Sequence, residues 1–212
     1  EDGIRDRSPS RGLGDVYKRQ ILSSGLPLIL LAARGFGYGN LGANPIQEIL
    51  HTLGKTGLNL LLITLAITPL RKLTGLKWLT ALRRVLGLAV FAYVLLHATT
   101  YVALDLQLVW PIFFADVTQR PYITVGVAAL ILLVPLAITS TNSMQRKLGK
   151  RWQKLHRLIY VISILGIIHF FWQVKITTVE PLVYTFVLIV LLSFRAKDWL
   201  SRFFQRTAVN KS

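Results

Sequence analysis

Six long runs of apolar residues constrain the fold of this chain more than any other feature of its sequence. They cover approximately residues 21–38, 55–71, 85–104, 122–139, 156–174 and 181–195. A helix needs about 20 mostly apolar residues to cross the hydrocarbon core of a membrane, and the mean hydropathy of the whole chain is +0.52. We therefore predict an all-α, polytopic membrane protein, built as a bundle of six transmembrane helices.

The distribution of basic residues predicts how the chain is oriented. The net charge of +16 over 212 residues would by itself suggest a nucleic-acid partner. Sixteen basic residues, however, cluster in two connections and the C-terminal tail: Arg71, Lys72, Lys77, Arg83, Arg84, Arg146, Lys147, Lys150, Arg151, Lys154, Arg157, Arg195, Lys197, Arg202, Arg206 and Lys211. Outside residues 1–20, only Arg34, Lys55, Arg120 and Lys175 lie on the other side. The positive-inside rule makes the basic side and both termini cytoplasmic, so the charges face membrane lipids and no nucleic acid.

The composition divides the chain into three segments. Residues 1–20 are polar and rich in Gly, Ser and Arg, and we expect them to be non-native sequence or a disordered tail. Residues 21–200 form the predicted transmembrane domain, and residues 201–212 form a basic cytoplasmic tail. In the connection 39–54, Asn44 before Pro45 predicts the start of a short interfacial helix. The loop 105–121 carries aromatic residues that are typical of a membrane boundary.

The chain contains no cysteine. This excludes disulfides, iron–sulfur clusters, thiolate ligation of haem and covalent haem attachment through a C-x-x-C-H motif. Any haem is therefore non-covalent and held by other ligands.

Two histidines lie deep inside apolar runs at matching depth. His97 follows Arg84 by 13 residues and His169 follows Arg157 by 12. Both runs begin on the cytoplasmic side, so at 1.5 Å per residue both imidazoles lie roughly 18 to 20 Å from the inner boundary. One alternative is that each histidine is hydrogen-bonded to a neighbouring helix. The matched depth favours the other, in which His97 and His169 are axial ligands of one haem b in the outer half of the membrane.

The cytoplasmic ends of the same runs suggest a second, weaker site. His156 lies about 20 Å below His169 by helical rise, and it is a candidate for a second haem or for contact with an inner cofactor. The residue at the corresponding level of the third run is Arg83, which suits a propionate or phosphate better than iron. Further candidates for propionate or phosphate contacts are Arg84 and Arg151 at this end, and His51 on the periplasmic side near the outer haem. The alternative for these residues is an interfacial or topological role, and the basic segment 140–157 is either a lipid anchor or a docking surface for an anionic cofactor or a cytosolic donor.

Several stretches of the sequence resemble a known family. They are ITPLRKL (67–73), RRVLGL (83–88), LHATTY (96–101), RPYITVG (120–126), LAITSTNSMQRKLGKRWQKLHRLIYV (136–161) and IHFFWQVK (168–175). Together they resemble the MsrQ family, formerly YedZ, of haem-binding membrane subunits in the MsrPQ methionine sulfoxide reductase system. This family is part of a wider ferric-reductase-like transmembrane group, and the similarity extends over about residues 25–200.

The resemblance implies a function. Such a subunit passes electrons across the bacterial inner membrane to MsrP, a periplasmic molybdopterin enzyme that reduces methionine sulfoxide in oxidised proteins. The implied donor is the quinol pool or a cytosolic flavin reductase, with FMN as a further cofactor. His97 and His169 match the outer haem ligands of the wider group, and His156 matches an inner one. Arg83 stands where relatives with two haems carry a fourth histidine, which argues against bis-histidine ligation of an inner haem.

We therefore expect an electron-transfer subunit of an oxidoreductase, with no catalytic residue of its own. One alternative is a general membrane cytochrome b that reduces ferric or cupric ions. A transporter with an intramembrane proton relay is another, but the predicted spans lack the carboxylates that such a relay uses.

Overall fold

The computed structural model describes residues 20, 23–34, 42–174 and 179–209, with side chains as far as Ala196. This part of the chain is helical and contains no strand. Its helices are α1 (Ser23–Arg34), α2 (Pro45–Thr74), α3 (Leu79–Thr100), α4 (Trp110–Gln119), α5 (Pro121–Ile138), α6 (Asn142–Leu148), α7 (Lys150–Leu155), α8 (Leu158–Gln173) and α9 (Val179–Val209). The predicted N-terminal segment lies outside the described residues except for Gln20, and the 201–212 tail is described only as helical backbone to Val209.

Five helical segments are long and apolar enough to cross a membrane. They are Pro45–Thr74, Leu79–Asp105, Pro121–Ile138, Lys150–Gln173 and Val179–Ala196. This confirms the prediction of an all-α, multi-pass membrane protein. The first predicted span contains α1, which is shorter than a span, and residues 35–41 beyond it are not described. The first of the six predicted spans therefore stays a prediction.

Helix α2 begins where the sequence predicts a helix start, but it is much longer than the predicted short interfacial helix. The Asn44 side chain accepts a hydrogen bond from the Gln47 backbone amide at 3.3 Å, and Pro45 occupies the first helical position, where its missing N–H costs nothing. The helix then continues without a break to Thr74. The predicted separate interfacial helix is wrong, because nothing between Pro45 and the apolar run interrupts the helical hydrogen bonding.

The aromatic loop 105–121 also contains structure that the sequence analysis did not predict. After α3 a π-helical turn, Tyr101–Asp105, leads to Gln107 and Leu108, which both adopt positive φ. Helix α4 follows, and its Asp116 is buried and ion-paired to Arg120 at 3.1 Å. The boundary role of the aromatic residues stays a prediction, and the helix that carries them was not predicted.

The chain divides into two compact units. The first contains the described residues up to Ile67 together with Thr74–Phe113. In it, α2 and α3 pack through a cluster of Ile67, Leu79, Leu86, Leu60 and Leu82. Helix α1 is tied to α3 because the Tyr93 hydroxyl donates to the Ser24 carbonyl at 2.5 Å.

The second unit contains Thr68–Leu73 and the described residues from Phe114 onward. Helices α5 and α8 pack along their length, and α9 packs on α8. Phe170 of α8 meets Tyr184 of α9 edge to face, with ring centroids 5.4 Å apart. Arg195 donates a hydrogen bond to the Thr68 hydroxyl and lies over the Tyr160 ring, 5.7 Å from its centroid. A cation at the end of the last apolar segment is thus held by a hydroxyl group and an aromatic ring.

Candidate metal centre

In the first unit, the imidazole of His97 is held against helix α2. Its Nδ1 atom lies 3.0 Å from the carbonyl oxygen of Leu50. One turn further along α2 is Gly54, and a Cβ at that position would lie 3.2 Å from Nδ1 and 3.3 Å from Cε1 of His97. The ring therefore lies close against the helix surface, where a side-chain carbon at position 54 would make a tight contact.

In the second unit, His169 has the same arrangement with helix α5. Its Nδ1 atom lies 2.7 Å from the carbonyl oxygen of Tyr122. A Cβ at Gly126, again four residues after the carbonyl, would lie 2.7 Å from Nδ1 and 2.9 Å from Cε1. This contact is closer than the one at Gly54, and an ordinary side-chain carbon could not be accommodated without movement.

These contacts determine the tautomer of both histidines. A backbone carbonyl only accepts hydrogen bonds, so each Nδ1 must carry the proton. A neutral imidazole with a proton on Nδ1 has its lone pair on Nε2, and a hydrogen bond from the other ring nitrogen to a carbonyl is the usual support of a metal-ligating histidine. In both side chains, the electron pair that can bind a metal is therefore on Nε2.

The donor set fits haem better than a bare metal ion. Within the described residues, no group of three or more His, Cys, Asp or Glu side chains comes together to hold a metal. A protein-bound zinc ion takes three or four such ligands, whereas the porphyrin supplies four nitrogens and leaves only axial positions to the protein. Single, well-oriented imidazoles suit the second case.

His156 lies in a different environment, at the junction of α7 and α8. Its Nε2 atom is 3.1 Å from the Thr139 hydroxyl oxygen, and its ring stacks on Trp152 with centroids 3.9 Å apart. The Thr139 hydroxyl donates to the Pro135 carbonyl at 2.6 Å, so it accepts the His156 Nε2 proton. The Trp152 Nε1–H in turn donates to the Thr139 carbonyl at 2.9 Å. His156 is thus part of a hydrogen-bonded cluster, with Nε2 already engaged.

The remaining predicted contact residues lie at different degrees of exposure. Arg83 is half-buried on α3, and its neighbour Arg84 is exposed. His51 on α2 and Arg151 on α7 are both exposed. Their roles toward a propionate or phosphate stay predictions.

The chain is similar to a known family of membrane proteins. The family described as "Ferric reductase like transmembrane component" matches residues 53–167, a range that includes Gly54, His97 and Gly126. A relative from Xanthomonas oryzae pv. oryzae (strain MAFF 311018) is 48% identical over 176 residues, which cover 83% of this chain and 80% of the relative. This chain belongs to the MsrQ family of ferric reductase-like transmembrane proteins.

Other MsrQ relatives give the same result. One from Xanthomonas campestris pv. campestris (strain B100) is 50% identical over 165 residues, covering 78% of this chain and 76% of the relative. One from Rhizobium meliloti (strain 1021) is 49% identical over 158 residues, covering 74% and 73%. All three relatives are named protein-methionine-sulfoxide reductase heme-binding subunit MsrQ. The resemblance deduced from the sequence motifs is confirmed.

Sequence reasoning identified the histidines but missed the residues that hold them. The carbonyls of Leu50 and Tyr122 have no sequence signature, since any residue supplies a carbonyl. The glycines do have one, because Gly54 and Gly126 each precede their histidine by the same interval along the chain. Comparing the spacing around the two histidines would have revealed them. Thr139 was likewise not singled out.

Proposed function

We propose that this protein is the haem-binding, electron-transferring membrane subunit of a methionine sulfoxide reductase system, with His97 and His169 as axial ligands of haem b. The observation that carries the proposal is the matching preparation of the two imidazoles. Each Nδ1–H donates a hydrogen bond to a helical carbonyl. The electron pair that can bind iron is therefore on Nε2. The depth match in the sequence predicts that both serve the same haem.

Haem b supplies an iron that is reduced and reoxidised by one electron, without proton chemistry at the protein ligands. The chain's own part is to hold each ring in one tautomer and one orientation. The carbonyls of Leu50 and Tyr122 do this, since a second hydrogen bond from the ligand fixes the ring and raises its basicity. The apolar helices around the rings exclude water, which influences the redox potential.

The direction of electron flow follows from the predicted orientation. With the basic segments in the cytoplasm, His97 and His169 lie in the outer half of the membrane, so electrons leave toward a periplasmic acceptor. The names of the relatives indicate a methionine sulfoxide reductase partner, and we propose MsrP in this role. Quinol from the inner membrane or a cytosolic flavin reductase is the proposed donor, with FMN and the basic segment around Trp152 at the inner end.

The proposal is tested by the haem content of purified variants. His97→Ala and His169→Ala should each lose at least about nine-tenths of the b-type haem absorption, since removing a ligand should weaken binding more than the roughly 10- to 100-fold loss that follows when a residue supporting a ligand is changed. Thr64→Val is a matched control, because it removes a hydroxyl from α2 that, among the described residues, bonds to the Leu60 carbonyl of its own helix and to no histidine. Full haem in both histidine variants, or no haem in the wild-type protein, would refute the proposal.

A second candidate is a general membrane cytochrome b that reduces ferric or cupric ions, and the ferric reductase-like family match favours its consideration. Reduction of metal chelates by cells that lack MsrP would support it. Reduction of periplasmic methionine sulfoxide that requires both this chain and MsrP would exclude it as the main activity.

A further inference from the structure

The two histidines are held by an arrangement that occurs twice in the chain. The carbonyl, the glycine and the histidine of the second unit, Tyr122, Gly126 and His169, each follow their counterparts in the first unit by 72 positions. Both hydrogen bonds join residues 47 apart. Each unit, taken by itself, therefore contains the same arrangement, which we call the histidine lock: a helical carbonyl, a glycine one turn later, and an imidazole from a second helix that is hydrogen-bonded to the carbonyl.

We propose that Gly54 and Gly126 are positioning residues for the haem ligands. Because glycine has no side chain, each imidazole can reach a carbonyl that already accepts a hydrogen bond within its helix. This inference rests on the proposed function, because it concerns the orientation of the histidines toward haem. It adds two residues that do not touch the iron but determine how its ligands are presented.

The physical reason lies in the geometry of the helix. A helical carbonyl at position i accepts the amide of residue i+4, and its second lone pair points outward, where the side chain at i+4 would normally cover it. At Leu50 and Tyr122 the residue at i+4 is a glycine, so the second lone pair is open to the histidine. Glycine costs about 1 kcal/mol relative to alanine inside a helix, which makes its occurrence at both positions a feature that needs a local explanation.

The distances predict that the two glycines differ in tolerance. Ordinary contact with a carbon begins near 3.4 Å, so an alanine at 126 would push the His169 ring by about 0.7 Å and stretch its hydrogen bond from 2.7 Å beyond the usual range. An alanine at 54 requires only about 0.2 Å, and the His97 bond would stay near 3.2 Å, within the normal range. Gly126→Ala should therefore be the more disruptive change.

The first test measures haem in the full-length protein purified in detergent. For Gly126→Ala, we expect about tenfold weaker haem retention and a changed low-spin signal in the electron paramagnetic resonance spectrum of the ferric form. Gly54→Ala should keep its haem and show a smaller shift of the same signal. Gly57→Ala is the matched control, since its Cβ would lie 3.2 Å from the Val94 side chain and near no histidine. An unchanged spectrum in Gly126→Ala, or an equal change in Gly57→Ala, overturns the proposal.

A second measurement does not depend on haem. If the cost of Gly126→Ala arises from the His169 ring, it should disappear when the ring is absent. We therefore expect the double variant His169→Ala/Gly126→Ala to melt at the same temperature as His169→Ala or higher, because alanine is the better helix former, whereas Gly126→Ala lowers the melting temperature in the histidine-containing protein. A loss of equal size in both backgrounds contradicts the positioning role.

The outcomes separate this inference from the proposed function. Retention of full haem by both His97→Ala and His169→Ala removes the function and the positioning role together. Loss of haem in those variants, with unchanged spectra and stability in both glycine variants, leaves the function standing and removes only the positioning role.

Discussion

The Thr139 hydroxyl connects α5 to His156, and its removal should measure how strongly that histidine is fixed. In Thr139→Val the shape of the side chain is preserved while the hydroxyl is lost. The His156 Nε2–H then loses its acceptor at 3.1 Å. The Pro135 carbonyl loses the threonine proton but still accepts the Thr139 backbone amide at 3.1 Å. The cost of the substitution is therefore concentrated at His156.

The magnitude follows from the value of a single hydrogen bond. A net contribution of about 0.5–1.5 kcal/mol is typical, and an N–H left without an acceptor costs about 1–3 kcal/mol when it is buried. Since His156 is only half-buried, water compensates part of that penalty, and we expect about 1–2 kcal/mol. For a chain of 150–250 residues this corresponds to a fall in melting temperature of roughly 2–8 °C.

Thr185→Val provides a closely matched control. The Thr185 hydroxyl also donates to the carbonyl of a proline four residues earlier, Pro181, at 2.7 Å, but no hydrogen bond joins it to a histidine among the described contacts. Such back-bonds contribute little to helix stability, so this variant should melt within about 1 °C of the wild type. Thermal melting of both variants in the same detergent is the assay. Equal melting temperatures for the two variants would show that Thr139 does not hold His156, and would favour His156 Nε2 as a ligand of an inner cofactor.

Two further changes test the fold around the site. Gly149 joins α6 to α7 with φ 51° and ψ −121°, so Gly149→Ala should lower the free energy of unfolding by about 1–3 kcal/mol. Gly149→Asn should not restore stability, because this ψ lies outside the left-handed helical region. As a control, Gly87→Ala lies in open space on α3 and should leave the melting temperature equal or higher. Tyr93→Phe removes the hydroxyl that bonds to the Ser24 carbonyl, and a loss of about 1 kcal/mol should appear as faster amide hydrogen exchange in α1, whereas unchanged exchange there would contradict the anchoring role.

Hydropathy and caps predicted the main helices because those signals are local. The long apolar runs account for α2, α3, α5, α8 and α9, and the Asn44–Pro45 pair marks the first residue of α2. The length of α2 was underestimated, because the apolar run begins only at Lys55 whereas the helix already begins at Pro45. Helix α4 was missed because its aromatic residues indicate a membrane boundary equally well in a loop or in a helix.

The candidate site was predictable in its ligands and not in their supports. The histidines stand out because an imidazole in an apolar run is rare and costly. Their acceptors, the carbonyls of Leu50 and Tyr122, depend on which helix packs beside which, and this is a tertiary property. The cluster of Thr139, Trp152 and His156 is of the same kind, because it forms across the turns that separate α5 from α8.

The repeated histidine lock also bears on the number of haems. His156 precedes His169 by 13 residues, and the residues 14 and 13 before His97 are Arg83 and Arg84. The two units therefore both have a histidine near one end of the span and differ near the other end, where one has an imidazole hydrogen-bonded to Thr139 and the other has two guanidinium groups. A guanidinium is always protonated and offers no lone pair to iron, but it binds carboxylates and phosphates well. Under the proposed function, this pattern predicts one bis-histidine haem, and the basic end of the spans would hold anionic groups such as propionates or the phosphate of a flavin. A haem-to-protein ratio near one and a single midpoint potential are the expected result, and two resolved potentials would show that His156 takes part in a second centre.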